Sequence, residues 1–351
     1  MKFNKRQQSL IDFARTKQSF QTKDAWVVVG QEFGVERLTI VRDLSKLEKA
    51  DVLVKRGAGR SVYYFLAKIY RITEKIPVEE YFSVRFQKRD LIPFFNYDIF
   101  QIFKNGVFTE QEKEDLKGYN KKYITKKNLL QKESPAILRR EWERLIIELS
   151  WKSSEIEGNT YTLLETEALI KEHEFARGKD RAEAQMILNH KITLEFILKN
   201  PNYLKIYNDN KVKKLHSLLI EDLDIKKDFR NHSVGIGGTL YRPLGKAKDI
   251  TQVMGQLSKL INDQHNPFEK AFLSLIMIAY IQPFEDGNKR TSRIISNAIL
   301  YAYDCAMLSY RDIEVSEYKK AALLFYEQNN VHYFKQIFME QFIFSTQNYF
   351  L

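Results

Sequence analysis

The sequence predicts a mainly α-helical chain with a small N-terminal domain of short helices and two strands. From Pro135 onward apolar residues recur at helical spacing almost without a break. Stretches that alternate as strands do are short, at residues 52–56, 61–66 and 234–243. Charge is uneven: the 351 residues carry a net +11, and residues 1–70 hold 14 Lys and Arg against 7 Asp and Glu, a net +7. A basic excess at one end points to a polyanion partner there, although a solvated basic face has the same composition.

Composition bounds the class. A chain of 351 residues with 44% hydrophobic and 29% charged residues can bury a core and form two or three domains. A single cysteine, Cys305, excludes an internal disulfide framework and suits a reducing compartment. The first eight residues lack the apolar core of a signal peptide, and no run reaches the ~18 apolar residues of a membrane span. A cytoplasmic protein with no membrane partner is expected.

Along the N-terminal domain, residues 1–70, apolar positions 10, 11, 13 and 14 mark a first short helix. Thr22 is expected to cap a second one through Ala25, Trp26 and Val29, ended by Gly34. Leu38, Val41, Leu44 and Leu47, three residues apart, mark the core face of a third, over residues 36–50. Two strands follow, joined by the glycine-rich tip Gly57-Ala58-Gly59-Arg60. This pattern resembles a winged helix-turn-helix. Its recognition helix would offer Arg37, Thr39, Arg42 and Lys46 to DNA, and its wing Arg60. Such modules also dock proteins. Trp26 and the Tyr63-Tyr64-Phe65 run read as core.

Residues 71–134 are weakly patterned and read as connecting helices, one of them starting at Thr109-Glu110-Gln111-Glu112. In the C-terminal body, residues 135–351, Leu138, Trp142, Leu145, Ile146 and Leu149 form one apolar face. Further helices are expected over residues 166–174, 182–198, 212–221, 250–263, 268–281, 290–303 and 316–328. A small β-hairpin is expected around Gly237-Gly238, between two of them.

The most informative stretch is Gln282-Pro283-Phe284-Glu285-Asp286-Gly287-Asn288-Lys289-Arg290-Thr291-Ser292-Arg293. An apolar helix ends there and a second begins. A helix start leaves amide donors unpaired and carries partial positive charge. Gly287 permits close approach of an anion, and Asn288 tolerates the turn. Arg290 and Arg293, one turn apart, suit bidentate phosphate binding. Asp286 is placed to hold Mg²⁺.

This stretch resembles the signature of Fic domain proteins, His-Pro-Phe-x-Asp/Glu-Gly-Asn-Gly-Arg-x-x-Arg, and departs from it at two defined positions. Upstream, Ser153 to Asn159 resembles the inhibitory motif Ser/Thr-x-x-x-Glu-Gly/Asn of autoinhibited members. Residues 234–243 resemble the family's target-holding flap. The resemblance covers residues 80–345 and implies a Fic-type helical core that transfers AMP from ATP to a hydroxyl side chain of a target protein. It implies Asp286 as the Mg²⁺ ligand and Gly287, Asn288, Lys289, Arg290 and Arg293 around the phosphates. Asn288 and Arg290 are implied in catalysis as well. Glu157, with Ser153 and Gly158, is implied as the inhibitory element that pairs with Arg293. Val234, Ile236, Gly237, Gly238 and Tyr241 are implied as the flap.

The first departure is Gln282, where the family has its catalytic histidine. An amide has no useful basicity, and losing a general base slows a reaction by roughly 10²–10⁴. The six histidines elsewhere offer no evident replacement, although His232 lies near the flap. The second is Lys289 in place of glycine, as in Doc toxins, which transfer phosphate with the nucleotide reversed. Its side chain is expected to point to solvent while its amide still donates. The readings that follow are an autoinhibited adenylyltransferase impaired at Gln282, a nucleotide-sensing DNA-binding regulator, and a Doc-like phosphotransferase. The cofactors implied are ATP and Mg²⁺. The partners implied are a target protein, DNA at the N-terminal domain, and a second copy in a homodimer.

Overall fold

The computed structural model describes residues 3–350, the side chain of Arg60 excepted. The chain divides into two compact units, residues 1–75 and 76–351.

In the first unit, α1 (Lys5–Arg15) starts in a capping box between Asn4 and Gln7. Next come α2 (Thr22–Ala25), a single π turn (Trp26–Gly30) and α3 (Arg37–Lys49). Then β1 (Leu53–Arg56) pairs antiparallel with β2 (Tyr63–Leu66), Leu53 opposite Leu66, and α4 (Lys68–Thr73) closes the unit. Leu10, Ile11, Ala25, Ile40, Leu44 and Leu47 meet in one core. Asp43 is buried and binds α3 to α1 through Arg6 at 2.5 Å and Gln7 at 3.0 Å.

Two expectations are corrected here. The cap of α2 is Gln21, whose N–H donates to Asp24 at 2.8 Å; Thr22 is already helical. The core face of α3 is Ile40, Leu44 and Leu47, while Leu38 and Val41 are 55% and 39% exposed. Each three-residue step turns a helix by about 300°, so a chain of such steps drifts by about 60° each time. Leu38 and Leu47 therefore lie on opposite sides. Trp26 is half-buried, its indole N–H on the Val35 carbonyl, and Tyr64 is buried; Tyr63 is exposed.

The second unit is helical: α5 (Val78–Ser83), α6 (Ile99–Ile102), α7 (Glu110–Glu133), α8 (Pro135–Ile156), α9 (Leu163–Glu172), α10 (Arg181–Lys199), α11 (Asp209–Leu219), α12 (Ala247–Asp263), α13 (Pro267–Ile281), α14 (Asn288–Ala302), α15 (Val315–Gln328) and α16 (His332–Asn348). At its centre lies α13, buried on every side, with α14 folded back along it. Asn266 caps α13, and buried Glu269 accepts the Val107 and Phe108 amides at 2.9–3.0 Å, tying the segment before α7 to the core. α7 begins at the Thr109 capping box, as its sequence suggests.

The expected β-hairpin is absent from residues 234–243. Among the described residues the only sheet is β1–β2. The stretch makes a turn at Gly237 and Gly238 and one isolated bridge, Phe94 to Arg242, with the Arg242 N–H on the Pro93 carbonyl at 2.8 Å. Paired glycines weaken a strand and Pro243 has no N–H to donate, so alternation alone does not make a ladder. No helix of the described residues is long and apolar enough to cross a membrane.

Candidate functional site

The site forms where α13 ends and α14 begins. Gln282 adopts the left-handed conformation, φ 51°, and Pro283 cannot continue a helix, so α13 stops at Ile281. Phe284 is fully buried and stacks on the His216 imidazole at 3.6 Å between ring centres. Its N–H donates to Asn288 Oδ1 at 2.8 Å, and Asn288 Nδ2 donates back to its carbonyl at 2.9 Å. The loop is thereby closed on itself. Gly287 is the N-cap of α14 at φ 73°; a Cβ there would lie 3.3 Å from Arg290 Nη2 and 3.4 Å from Ile220.

Both arginines of the first turn point inward. Arg290 is 2% exposed and meets Asp286 at 3.2 Å, while its Nη1 is buried without a hydrogen-bond partner. Arg293 is wholly buried. Its Nε donates to Ser153 Oγ, and its Nη2 donates to the Ser153 carbonyl and Glu157 Oε1, each at 2.8 Å. Its guanidinium also lies 5.3 Å from the Tyr318 ring centre. Burial raises the Glu157 carboxyl, but Arg293, Lys289 and Arg290 outweigh it and hold that carboxyl below its ordinary range. The same ion pair overcomes burial at Arg293 and raises its pKa.

Ser153, Glu157 and Gly158 come from the end of α8, where Gly158 at φ 100° turns the chain away. Ser153 and Glu157 meet Arg293 across 136–140 residues of sequence, and Gly158 makes no hydrogen bond with it. Lys289 is corrected from its expected place in solvent: its Nζ lies 3.6 Å from Glu157 Oε2. Asp286 is largely exposed. Among the described residues no group of three His, Cys, Asp or Glu side chains is placed to hold a metal ion.

The Gln282 side chain is turned back on its own helix, with Nε2 donating to the Ala279 carbonyl at 2.6 Å; its backbone carbonyl accepts Arg230 Nε at 2.7 Å. Of the flap residues, Ile236 and Gly237 line a cavity of about 250 Å³ with Lys289, Tyr318 and Tyr326. Val234 is half-buried and Gly238 exposed. Tyr241 does not face outward. It is buried, stacked on Tyr280 at 4.7 Å, with its hydroxyl donating to the Tyr280 carbonyl at 3.0 Å.

Two buried histidines join the site without having been anticipated. His190 Nε2 lies 2.9 Å from Ser153 Oγ, and His216 Nδ1 lies 3.0 Å from Thr291 Oγ1. Each sits on the apolar face of its helix, His190 beside Ile187 and Leu194 and His216 beside Val212 and Leu219. That spacing was the available signal. His232 is exposed and touches the network only through its carbonyl, which accepts from Arg230.

In the first unit Arg37, Arg42 and Lys46 are exposed along α3 with no ion pair among the described residues, and Thr39 is half-buried. The expected contact of Arg60 lies outside the described side chains.

Residues 206–300 match the family model described as Fic/DOC family. Over 174 residues the chain is 29% identical to protein adenylyltransferase Fic of Drosophila erecta, spanning 48% of this chain and 34% of that protein. The Drosophila melanogaster protein of the same name is 28% identical over 174 residues. The match thus spans about a third of the length of these curated relatives. Among solved structures, a Fic domain containing signaling protein from Bacteroides thetaiotaomicron aligns with a TM-score of 0.53 at 20% identity, covering 65% of this chain and 94% of that one. Fic-1 from C. elegans aligns with a TM-score of 0.57 at 18% identity, covering 68% and 71%. The mainly helical fold is shared with these proteins.

Proposed function

We propose that the second unit is a protein adenylyltransferase scaffold held off by two of its own residues, Glu157 and Gln282. The observation that carries this reading is the pair of buried arginines behind the left-handed Gly287. One has a guanidinium nitrogen without a partner, and the other is engaged by Glu157. Buried cationic donors at a helix N-terminus suit the phosphates of ATP.

In the reaction, the target hydroxyl oxygen attacks the α-phosphorus, the bond to the β-phosphate breaks, and pyrophosphate leaves. Arg290 and the first amides of α14 receive charge on the phosphates, and Asn288 keeps the loop in shape. Asp286 fits Mg²⁺ as a single exposed carboxylate, since this ion completes its shell with phosphate oxygens and water; when bound it would neutralise phosphate charge. Glu157 occupies the Arg293 donor that a distal phosphate needs and repels that phosphate, so nucleotide binds unproductively until the carboxylate withdraws. The hydroxyl proton needs an acceptor, and Gln282 cannot be one. Its Oε1 can only orient the hydroxyl. Ile236 and Gly237 are the segment against which a target chain would lie.

A second reading, phosphate transfer of the Doc kind, draws on Lys289, whose ammonium lies beside Glu157 rather than in solvent. The first unit is read as a DNA-binding winged helix, with Arg37, Arg42 and Lys46 toward phosphates. The compartment is the cytoplasm.

Transfer from ATP labelled at the α- or the γ-phosphate tests this reading. Label from the α-phosphate should appear with Gln282→His, some 10²–10⁴ above the parent, and rise again with Gln282→His plus Glu157→Gly. Label from the γ-phosphate alone would favour the phosphotransferase, and no label with ATP still bound would refute a transferase of either kind.

A further inference from the structure

Residues 117–140 hold 8 Lys and Arg against one acidic residue, Glu133, a net +7. That equals the excess of residues 1–70 in about a third of the length and leaves the rest of the chain at −3. In the fold they form the second half of α7, the Ser134 junction and the start of α8. α7 buries Leu116, Asn120 and Tyr123, which leaves Lys117, Lys121, Lys122 and Lys126 exposed. Lys117 reaches Glu114 at 3.5 Å and Lys122 lies over Tyr119, whereas the ammonium groups of Lys121 and Lys126 have no partner among the described residues.

The first turn of α8 has no acidic residue and no side-chain cap, so its positive end is not neutralised. Arg139 and Arg140 follow, both exposed and both without an ion pair or hydrogen bond among the described residues. They open onto a groove of about 1140 Å³ that Trp142, Tyr301, Glu143 and Glu195 also line, with Lys191 paired to Glu195 at 3.6 Å and Lys171 to Glu167 at 2.7 Å, so that among the described residues the two arginines are its unpaired cations. Stripe and groove follow one another along the chain across Ser134, and beneath them buried rings tie α7 to α8. Tyr123 of α7 meets Phe350 at 5.4 Å, Phe350 meets Trp142 at 4.6 Å, and Trp142 meets Tyr301 at 5.6 Å.

We propose that this stripe and groove bind the phosphodiester backbone of a nucleic acid. The charge is spread rather than focused. From Lys117 to Lys132 the helix runs about 22 Å, which a compact anion cannot span and a polymer with a charge every ~3.4 Å along each strand can. Unpaired arginines suit phosphate diesters in particular, because their planar donors meet two oxygens at once. The surface is separate from the nucleotide site, since Arg139 and Ser153 stand 14 residues apart on α8, about 21 Å. It uses residues of the second unit only and does not rest on either proposed reading.

The test uses the full chain carrying Arg37→Glu and Arg42→Glu, so that retained binding comes from the second unit. Anisotropy of labelled 20-nucleotide single-stranded and duplex DNA is followed as salt is raised. This chain should still bind at low salt. Adding Arg139→Glu, Arg140→Glu and Lys191→Glu should weaken binding at least tenfold and lower the salt slope by about 2–3. ATP affinity should stay as it was, since all three side chains line the groove beside Tyr301, at the end of α14 away from Gly287. Loss of all binding with the first pair of changes, or no effect of the second set, would overturn the proposal. Polyglutamate competing as well as DNA at equal charge would overturn it also, in favour of an acidic protein segment.

Discussion

His216 shows how a single side chain couples the loop to the solvent pH. Burial, with the nearby Arg290 adding to it, lowers its pKa from 6.5 to about 3, so it is neutral in the folded protein at any ordinary pH. An unfolded chain protonates it below 6.5. The stabilising contribution is therefore fully present above pH 6.5 and drains away as pH falls toward 3, by on the order of 1 kcal/mol per pH unit. The urea midpoint of the parent should fall relative to that of His216→Gln between pH 7 and pH 5, whatever their gap at pH 7. Parallel lines would show that the imidazole does not titrate differently on folding. His190 is pushed down in the same direction by burial and by Arg293, and both residues were legible only as polar breaks in apolar helix faces.

At the scale of an element, the α13–α14 turn was readable because its constraints are local. A proline, a glycine and an asparagine dictate backbone geometry within six residues, and the arginine spacing follows from one turn of helix. Gly287→Ala should cost about 1–2 kcal/mol, because φ 73° is a left-handed conformation and the added methyl crowds Arg290. Calorimetry in the Glu157→Gly background should also find weaker ATP binding, and unchanged affinity would mean that the turn has no part in holding phosphate. The flap was misread as a hairpin because strand pairing depends on a partner chain of donors and acceptors, which alternation does not supply. α16 was overlooked for a related reason. Phe, Tyr, Ile and Met crowd more than one face of residues 332–348, and a helix packed on several sides loses the one-sided pattern.

For the whole molecule, each compact unit has its own core, and they need not unfold together. Scanning calorimetry should resolve two transitions, and deleting residues 1–75 should remove one and leave the other within a few degrees. A single transition lost as a unit would show that the two cores are energetically one.

The mainly helical class, the two short strands of the first unit and the turn between α13 and α14 all lie within short windows, where propensity and periodicity act directly. The sequence by itself determined these. Only the tertiary structure decided that Ser153 and Glu157 reach Arg293, that Lys289 leans on Glu157, and that His190 and His216 back the loop. These contacts join residues 37 to 140 positions apart, and their energy comes from giving each buried polar or charged group its partner. A linear reading can name the groups, but only the packed helices set the distance between them.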